Sequence, residues 1–121
     1  MIRAAPLRIL VVEDEAMIAF FIEDCLVGFG HHVVGPASRV GRALSLIKTE
    51  EFDLALLDVN VSGEEVYPAA VELRSRGIPF IFLSGYGSRG LREEWKGSPM
   101  LEKPFAPEIL EARINAIMQH A

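Results

Sequence analysis

Short apolar runs alternate along the chain with segments in which hydrophobic residues recur every three or four positions. Five runs have the length of a β-strand, and they occupy residues 7–12, 32–35, 52–58, 78–83 and 99–101. The run at 52–58 is apolar almost throughout, which is typical of a central parallel strand covered on both faces. Gly35 and Pro36 predict the end of the second strand.

The segments between these strands have helical periodicity. The first carries hydrophobic residues at the i, i+3, i+4, i+7 and i+8 positions of one face, namely Ile18, Phe21, Ile22, Cys25 and Leu26. Further helices are predicted around residues 40–47, 66–73, 88–96 and 107–118, with Ser38 as a plausible N-cap for the first of these. Strands that alternate with helices predict an α/β fold with a parallel sheet and right-handed crossovers.

Length and composition narrow the class of protein. The 121 residues are enough for one domain, so residues 1–121 are predicted to form a single domain. A net charge of -5 without any basic run argues against nucleic-acid binding. The apolar run at 16–22 ends at Glu23 and Asp24 and is too short to cross a membrane. The chain also has a single cysteine and no signal-peptide pattern. These three features together predict a cytoplasmic protein.

Charged and polar residues follow the predicted strands at their carboxyl ends, where open α/β sheets form their functional crevice. Glu13 and Asp14 follow the first strand, Asp58 the third, Ser84 the fourth and Lys103 the fifth. The chain has only four Asp and three Lys residues, so this placement is not a consequence of abundance. The five side chains are therefore expected to converge.

Three converging carboxylates repel one another unless a cation lies between them. Mg²⁺ suits such a set because it prefers oxygen ligands and keeps several waters. The Lys103 ammonium is able to pair first with a carboxylate and later with a phosphoryl oxygen, to which the Ser84 hydroxyl is able to donate. These parts suit phosphoryl transfer, with Asp58 as the nucleophile that becomes an aspartyl phosphate.

Nearly the whole chain resembles the receiver domain of two-component response regulators. The resemblance rests on four segments in the same order and spacing, Ile9-Leu10-Val11-Val12-Glu13-Asp14-Glu15, Phe52-Asp53-Leu54-Ala55-Leu56-Leu57-Asp58, Phe82-Leu83-Ser84-Gly85 and Lys103-Pro104-Phe105. It implies a flavodoxin-like, doubly wound (βα)5 three-layer sandwich whose five-stranded parallel sheet has the order 2-1-3-4-5. It also implies a signalling domain that catalyses only its own phosphorylation and slow dephosphorylation, not an enzyme acting on other substrates.

The same resemblance implies a role for each site residue. Asp58 would accept phosphate from a sensor histidine kinase or a histidine phosphotransfer protein, Lys103 would bind the phosphate, and Ser84 would be the switch hydroxyl. Glu13, Asp14, Asp58 and the backbone carbonyl of Asn60 would hold Mg²⁺. The Lys103–Pro104 bond is usually cis in the family. A downstream protein partner is expected, and family members often signal or dimerise through the face formed by the fourth helix, fifth strand and fifth helix.

Two positions depart from the family pattern. Ser62 replaces the proline commonly found four residues after the phosphoacceptor, and Met100 replaces the aromatic residue usually found three before the lysine. The segment 78–87 is loosely similar to stand-alone regulators named for a FAT GUY motif, in which signalling is thought to use a mobile segment after the fourth strand. Gly85, Gly87 and Gly90 independently favour a flexible segment there.

Other interpretations remain open. Asp58 alone could be a helix N-cap, Ser84 a turn former and Lys103 a surface lysine, whereas Glu15 suits the N-terminus of a helix and stays outside the site. The alternative function is a phosphorylation-independent interaction module that keeps the receiver fold. A hydrolase or phosphatase of the aspartyl-phosphate type usually carries its nucleophile after the first strand, and a flavin-binding protein needs a phosphate loop there, so both fit less well.

Overall fold

The computed structural model describes residues 6–119. Within these residues seven strands follow one another: β1 (Arg8–Val12), β2 (His32–Ala37), β3 (Leu54–Asp58), β4 (Asn60–Val61), β5 (Glu64–Glu65), β6 (Phe80–Ser84) and β7 (Met100–Glu102). Five of them form a parallel sheet in the order β2-β1-β3-β6-β7. β4 and β5 pair with each other as an antiparallel hairpin outside this sheet. β6 and β7 are therefore the fourth and fifth strands of the parallel sheet, and the predicted order 2-1-3-4-5 is confirmed.

In the described part of the chain, four α-helices connect and cover the sheet: α1 (Ala16–Gly28), α2 (Val40–Thr49), α3 (Tyr67–Ser75) and α4 (Pro107–Gln119). Pro68 lies in the first turn of α3, where its missing N–H removes no helical hydrogen bond. Between residues 6 and 119, none of the helices combines the length and apolar character needed to cross a membrane.

The alternation of side chains along the strands divides the core into two halves. Leu10, Leu57 and Phe82 point to one face of the sheet and pack in one cluster with residues of α2 and α3. Their neighbours Val11 and Leu56 belong to a second cluster on the other face, with residues of α1 and α4. Helices on both faces of one parallel sheet confirm the three-layer architecture.

The prediction of a fourth helix around residues 88–96 is wrong. Residues 88–96 instead contain parts of two 3₁₀ turns, η1 (Gly87–Gly90) and η2 (Glu93–Trp95). Gly87 adopts a left-handed φ of 58°, and Leu91 and Arg92 are extended, so no continuous helix runs through the segment. The hydrophobic residues of this segment are nevertheless used, because Leu91 and Trp95 are buried in the core.

Gly35 and Pro36 do not end the second strand, contrary to prediction. β2 continues through them to Ala37, with a shift in its pairing to β1 that accommodates the Gly35–Pro36 step. Ser38 does not cap a helix either, because α2 begins at Val40 and the position before it, Arg39, provides no side-chain cap.

Candidate functional site

The sheet brings the predicted polar residues to one edge because its strands are parallel and in register. Val12 at the end of β1 is paired with Leu57, so Glu13 and Asp58 leave neighbouring strands at the same level. β6 is paired with β7 such that Ser84 lies beside Glu102, and the main-chain N–H of Lys103 donates to the Ser84 carbonyl over 2.8 Å. The expected convergence at the carboxyl ends is therefore present.

Lys103 lies between two carboxylates. Its Nζ donates to Glu13 Oε1 over 2.8 Å and lies 3.3 Å from Asp58 Oδ2. The Glu13 side chain is only 1% exposed, whereas Lys103 and Asp58 retain 17% and 14%. The ammonium thus neutralises a buried carboxylate while remaining close to the more accessible Asp58. The Lys103–Pro104 peptide bond is cis.

The surroundings shift the pKa values of both Glu13 and Lys103. Burial raises the pKa of Glu13 above its ordinary value of 4.5, the Lys103 hydrogen bond opposes this rise, and the Asp58 carboxylate adds to it. Burial would lower the pKa of Lys103, but its hydrogen bond to Glu13 and the charge of Asp58 outweigh that effect and raise it above 10.5. Lys103 is therefore a permanent cation at neutral pH.

Asp14 completes an acidic cluster with Glu13 and Asp58. Each of the three offers a carboxylate oxygen, and these oxygens lie within 4.8 Å of one another. Lys103 compensates only one of three negative charges at this spacing, so the cluster gains from a divalent cation. Hard carboxylate oxygens, some of them exposed to water, fit Mg²⁺, which prefers a few protein oxygens and several waters. The residues present therefore suit the metal that was predicted.

Ser84 is buried at the end of β6, and its hydroxyl is already engaged. The main-chain N–H of Tyr86 donates to Ser84 Oγ over 3.1 Å. Tyr86 itself is exposed, and Gly90 of η1 packs against the Ser84 side chain. The hydroxyl is thus held within the turn that begins the segment after β6. A change in its orientation would break its contacts with that segment.

Asn60 and Met100 occupy less central positions. Asn60 is exposed and begins the hairpin two residues after Asp58, and whether its carbonyl holds a metal stays a prediction. Met100 is partly buried against the core cluster that includes Trp95 and Phe82. Its carbonyl accepts a hydrogen bond from Arg113 Nη1 over 2.6 Å.

An aromatic cluster behind Ser84 went unrecognised in the sequence. Trp95 stacks on Tyr67 at 5.6 Å and meets Phe82 edge-on at 5.7 Å. The Tyr67 hydroxyl accepts a hydrogen bond from the main-chain N–H of Arg92 over 2.9 Å, and the Arg92 side chain pairs with Glu65. The segment after β6 is therefore fastened to α3 and to the hairpin. Sequence alone indicated only that Trp95 packs, because its partners come from distant elements.

The comparison with known families agrees with this geometry. Residues 9–115 match the family described as response regulator receiver domain. The chain therefore belongs to the response regulator receiver family, whose members are phosphorylation-dependent switches of two-component signalling. Its role is accordingly in signalling and not in general catalysis.

One curated relative is the probable transcriptional regulator ycf27 of Porphyra purpurea, which is 35% identical over 118 residues. These residues cover 94% of this chain but 48% of the relative, so the chain spans about half the length of that protein. The solution structure of SdrG from Sphingomonas melonis Fr1 is 34% identical, with a TM-score of 0.84 over 95% of this chain and 98% of SdrG. SdrG has also been solved in a BeF3-activated conformation, with a TM-score of 0.79 over 94% and 98%.

A magnesium-bound relative bears on the acidic cluster. The receiver domain of the sensor histidine kinase PA1611 from Pseudomonas aeruginosa PAO1 has a magnesium ion coordinated in its active-site cleft. It is 25% identical to this chain, with a TM-score of 0.75 over 89% of this chain and 93% of that domain. Receiver domains thus bind Mg²⁺ at an acidic pocket, and this chain has an acidic cluster that suits the ion.

Proposed function

We propose that Asp58 is the phosphoacceptor of this receiver domain and that Lys103 and Ser84 bind the phosphoryl group. The observation that carries this assignment is the position of Asp58 beside both a cation and an acidic cluster, with Lys103 Nζ at 3.3 Å and carboxylate oxygens of Glu13 and Asp14 within 4.8 Å. A carboxylate at this strand end lies beside the Lys103 ammonium, which would neutralise an incoming phosphate, and a divalent cation bound to the acidic cluster would do the same.

The proposed reaction is a displacement at phosphorus. An oxygen of Asp58 attacks the phosphorus of a phosphohistidine, the new O–P bond forms, and the P–N bond breaks as the imidazole leaves and takes up a proton. Lys103 then exchanges part of its interaction with Asp58 for a phosphoryl oxygen, while Ser84 turns its hydroxyl toward another. Slow hydrolysis follows when water attacks the phosphorus and restores the Asp58 carboxylate and inorganic phosphate.

Glu13, Asp14, Asp58 and the Asn60 carbonyl are the proposed Mg²⁺ ligands. When bound, the ion would neutralise charge on the transferring phosphoryl group. The chain's own contribution is to hold these oxygens together: Glu13 is fixed by Lys103, and a main-chain N–H of Glu15 donates to Glu13 Oε2 over 3.1 Å.

The phosphodonor is proposed to dock on the exposed face of α1. Met17 and Phe20 are 83% and 71% exposed although both are large and apolar, and they lie one turn apart on the same face. α1 begins two residues after Asp14, so this face borders the acidic cluster. A sensor histidine kinase or histidine phosphotransfer protein must bring its phosphohistidine to Asp58, and an adjacent apolar face supplies contact area for it.

The direct test is incubation with acetyl phosphate and Mg²⁺, followed by intact-mass measurement. The wild-type protein is expected to gain the mass of one phosphoryl group, and Asp58→Asn is expected to gain none. Addition of EDTA should abolish the gain in the wild type. No gain in the wild type, or an equal gain in Asp58→Asn, would overturn the assignment of Asp58.

The second candidate function is a phosphorylation-independent interaction module, which the departures at Ser62 and Met100 favour. Retention of the acidic cluster and of the Lys103 ion pair supports the phosphorylated switch instead. We further propose that residues 1–121 form one receiver domain, although residues 1–5 and 120–121 lie outside the described part. The cytoplasmic location, the lack of nucleic-acid binding by this domain, and a dimer through the face near β7 and α4 stay predictions.

A further inference from the structure

The hairpin after Asp58 has an unusual turn. Its strands β4 and β5 pair antiparallel, with Val61 opposite Glu64. The two residues between them, Ser62 and Gly63, have φ values of 53° and 80°. Left-handed backbone at both central positions is the requirement of a type I′ hairpin turn, and serine rarely occupies it. Position 62 therefore has a conformation that calls for a specific reason.

Ser62 makes two hydrogen bonds to separate parts of the chain. Its main-chain N–H donates to Asp14 Oδ2 over 2.9 Å, and its hydroxyl donates to the Ser38 carbonyl over 2.7 Å. Asp14 follows β1 and Ser38 follows β2, so the turn is fastened to the loops at two neighbouring strand ends. The hydroxyl bond links the turn to the loop after β2, whereas the N–H bond acts directly on the acidic cluster.

Asp14 needs an external constraint more than the other two carboxylates do. Glu13 is buried and tied to Lys103, and Asp58 lies beside the same ammonium, whereas Asp14 is exposed. An exposed aspartate rotates freely unless one oxygen is bound. In the described part of the chain, the Ser62 N–H is the hydrogen-bond donor to the Asp14 carboxylate.

We propose that Ser62 is a positioning residue for Asp14, and that its main-chain N–H holds one carboxylate oxygen so that Asp14 is pre-oriented toward a bound Mg²⁺. This inference rests on the proposed metal site. Groups that hydrogen-bond to a metal's carboxylate ligands restrict their rotation and so raise metal affinity. Proline at this position would have no N–H to donate and would fix φ near −65°, so the serine provides a contact that proline is unable to make.

Two variants separate the N–H from the hydroxyl. Ser62→Pro removes the N–H together with the hydroxyl and the left-handed φ, whereas Ser62→Gly keeps the N–H, accepts positive φ and removes only the hydroxyl. Gly63→Ala strains the same turn without touching the Ser62 N–H and serves as the control for general damage to the hairpin. We expect Ser62→Pro to bind Mg²⁺ on the order of tenfold more weakly than the wild type. The Mg²⁺ affinities of Ser62→Gly and Gly63→Ala should equal that of the wild type within the error of the titration.

The measurement is a Mg²⁺ titration followed by NMR or by the fluorescence of Trp95. A second readout needs no metal: the amide hydrogen of Ser62 should exchange faster with solvent in Asp14→Ala than in the wild type, because its acceptor is gone. Equal Mg²⁺ affinity in Ser62→Pro, an equal loss in Gly63→Ala, or unchanged exchange in Asp14→Ala would overturn the role of Ser62. If the wild type binds no Mg²⁺ at all, the proposed function itself fails, which is a distinguishable result.

Discussion

The Ser84 hydroxyl lies directly against Gly90, so closely that a β-carbon at position 90 would stand 2.3 Å from Ser84 Oγ. Ser84 is the last residue of β6 and Gly90 lies in the segment that follows it, in which the Tyr86 N–H donates to Ser84 Oγ. Glycine at position 90 therefore permits the resting position of the hydroxyl. If Ser84 turns toward a phosphoryl group, as we propose, the contact with Gly90 and the bond from Tyr86 would change together, and this would connect the site to the exposed segment after β6.

Gly90→Ala is expected to destabilise the resting domain. The added methyl group has to displace the Ser84 hydroxyl or move η1, and overpacking of this kind costs about 1–3 kcal/mol in free energy of unfolding. The matched control is Gly41→Ala in α2, where nothing lies within 4 Å of the added carbon and replacing a helical glycine should stabilise by about 0.4–1 kcal/mol. Urea denaturation of the three proteins measures both effects. Equal stability of Gly90→Ala and the wild type would show that the contact between Ser84 and residue 90 leaves room for a β-carbon.

Trp95 should report activation of Asp58. It is the single tryptophan of the chain, and it contacts Phe82, which lies two residues before Ser84 on β6. Rearrangement around Ser84 is expected to alter the surroundings of the indole and thus its emission. We expect a change in fluorescence when beryllofluoride and Mg²⁺ are added together, and no such change in Asp58→Asn. Identical spectra of the wild type with and without beryllofluoride would contradict a coupling between the site and this aromatic cluster.

The fold and the convergence of the site residues were predictable because both depend on local patterns. Strands such as 52–58 are short, apolar and continuous, and parallel pairing brings their carboxyl ends together whatever the loops do. Glu13, Asp58 and Lys103 could therefore be placed at one edge from their positions after strands. Their residue roles remain proposals that phosphorylation experiments have to test.

The features that sequence did not predict depend on contacts between distant residues. The fourth helix was expected from apolar spacing, but Leu91 and Trp95 reach the core from 3₁₀ and extended backbone instead. The hairpin at 60–65 was missed although Ser62-Gly63 is a turn dipeptide, because strands of two residues have no periodicity to detect. Its contact with Asp14 spans 48 positions and leaves no local signal.

A phosphodonor that docks on α1 should be sensitive to the exposed apolar face at the start of that helix. With a histidine kinase that phosphorylates the wild type, Phe20→Ser is expected to lower the rate of phosphotransfer about tenfold, because one large contact residue is lost. Val27→Ser is the matched control, since Val27 is also exposed but lies at the far end of α1. Acetyl phosphate should label all three proteins equally. A parallel loss with acetyl phosphate would indicate a damaged site and not a docking defect.

Lys103→Met should destabilise the domain in a pH-dependent way when EDTA is present. Removing the ammonium leaves buried Glu13 without its ion pair, at a cost of about 1–3 kcal/mol near neutral pH. Without Lys103 the pKa of Glu13 rises further above 4.5, because the cation that opposes the effect of burial is gone. The folded variant then binds a proton more tightly than the unfolded chain, so its free energy of unfolding increases as pH falls through the folded pKa of Glu13.

In urea denaturation, the free energy of unfolding of Lys103→Met should therefore lie closer to that of the wild type at about pH 5 than at about pH 8. Lys103→Gln keeps a polar side chain without charge and should behave like Lys103→Met if the charge is what matters. A deficit that stays constant or grows toward acid pH would show that Lys103 acts through packing alone. Acetyl phosphate should still label Asp58 in Lys103→Met, but the Trp95 fluorescence response should be lost, because the phosphoryl group no longer has the ammonium that ties it to β7.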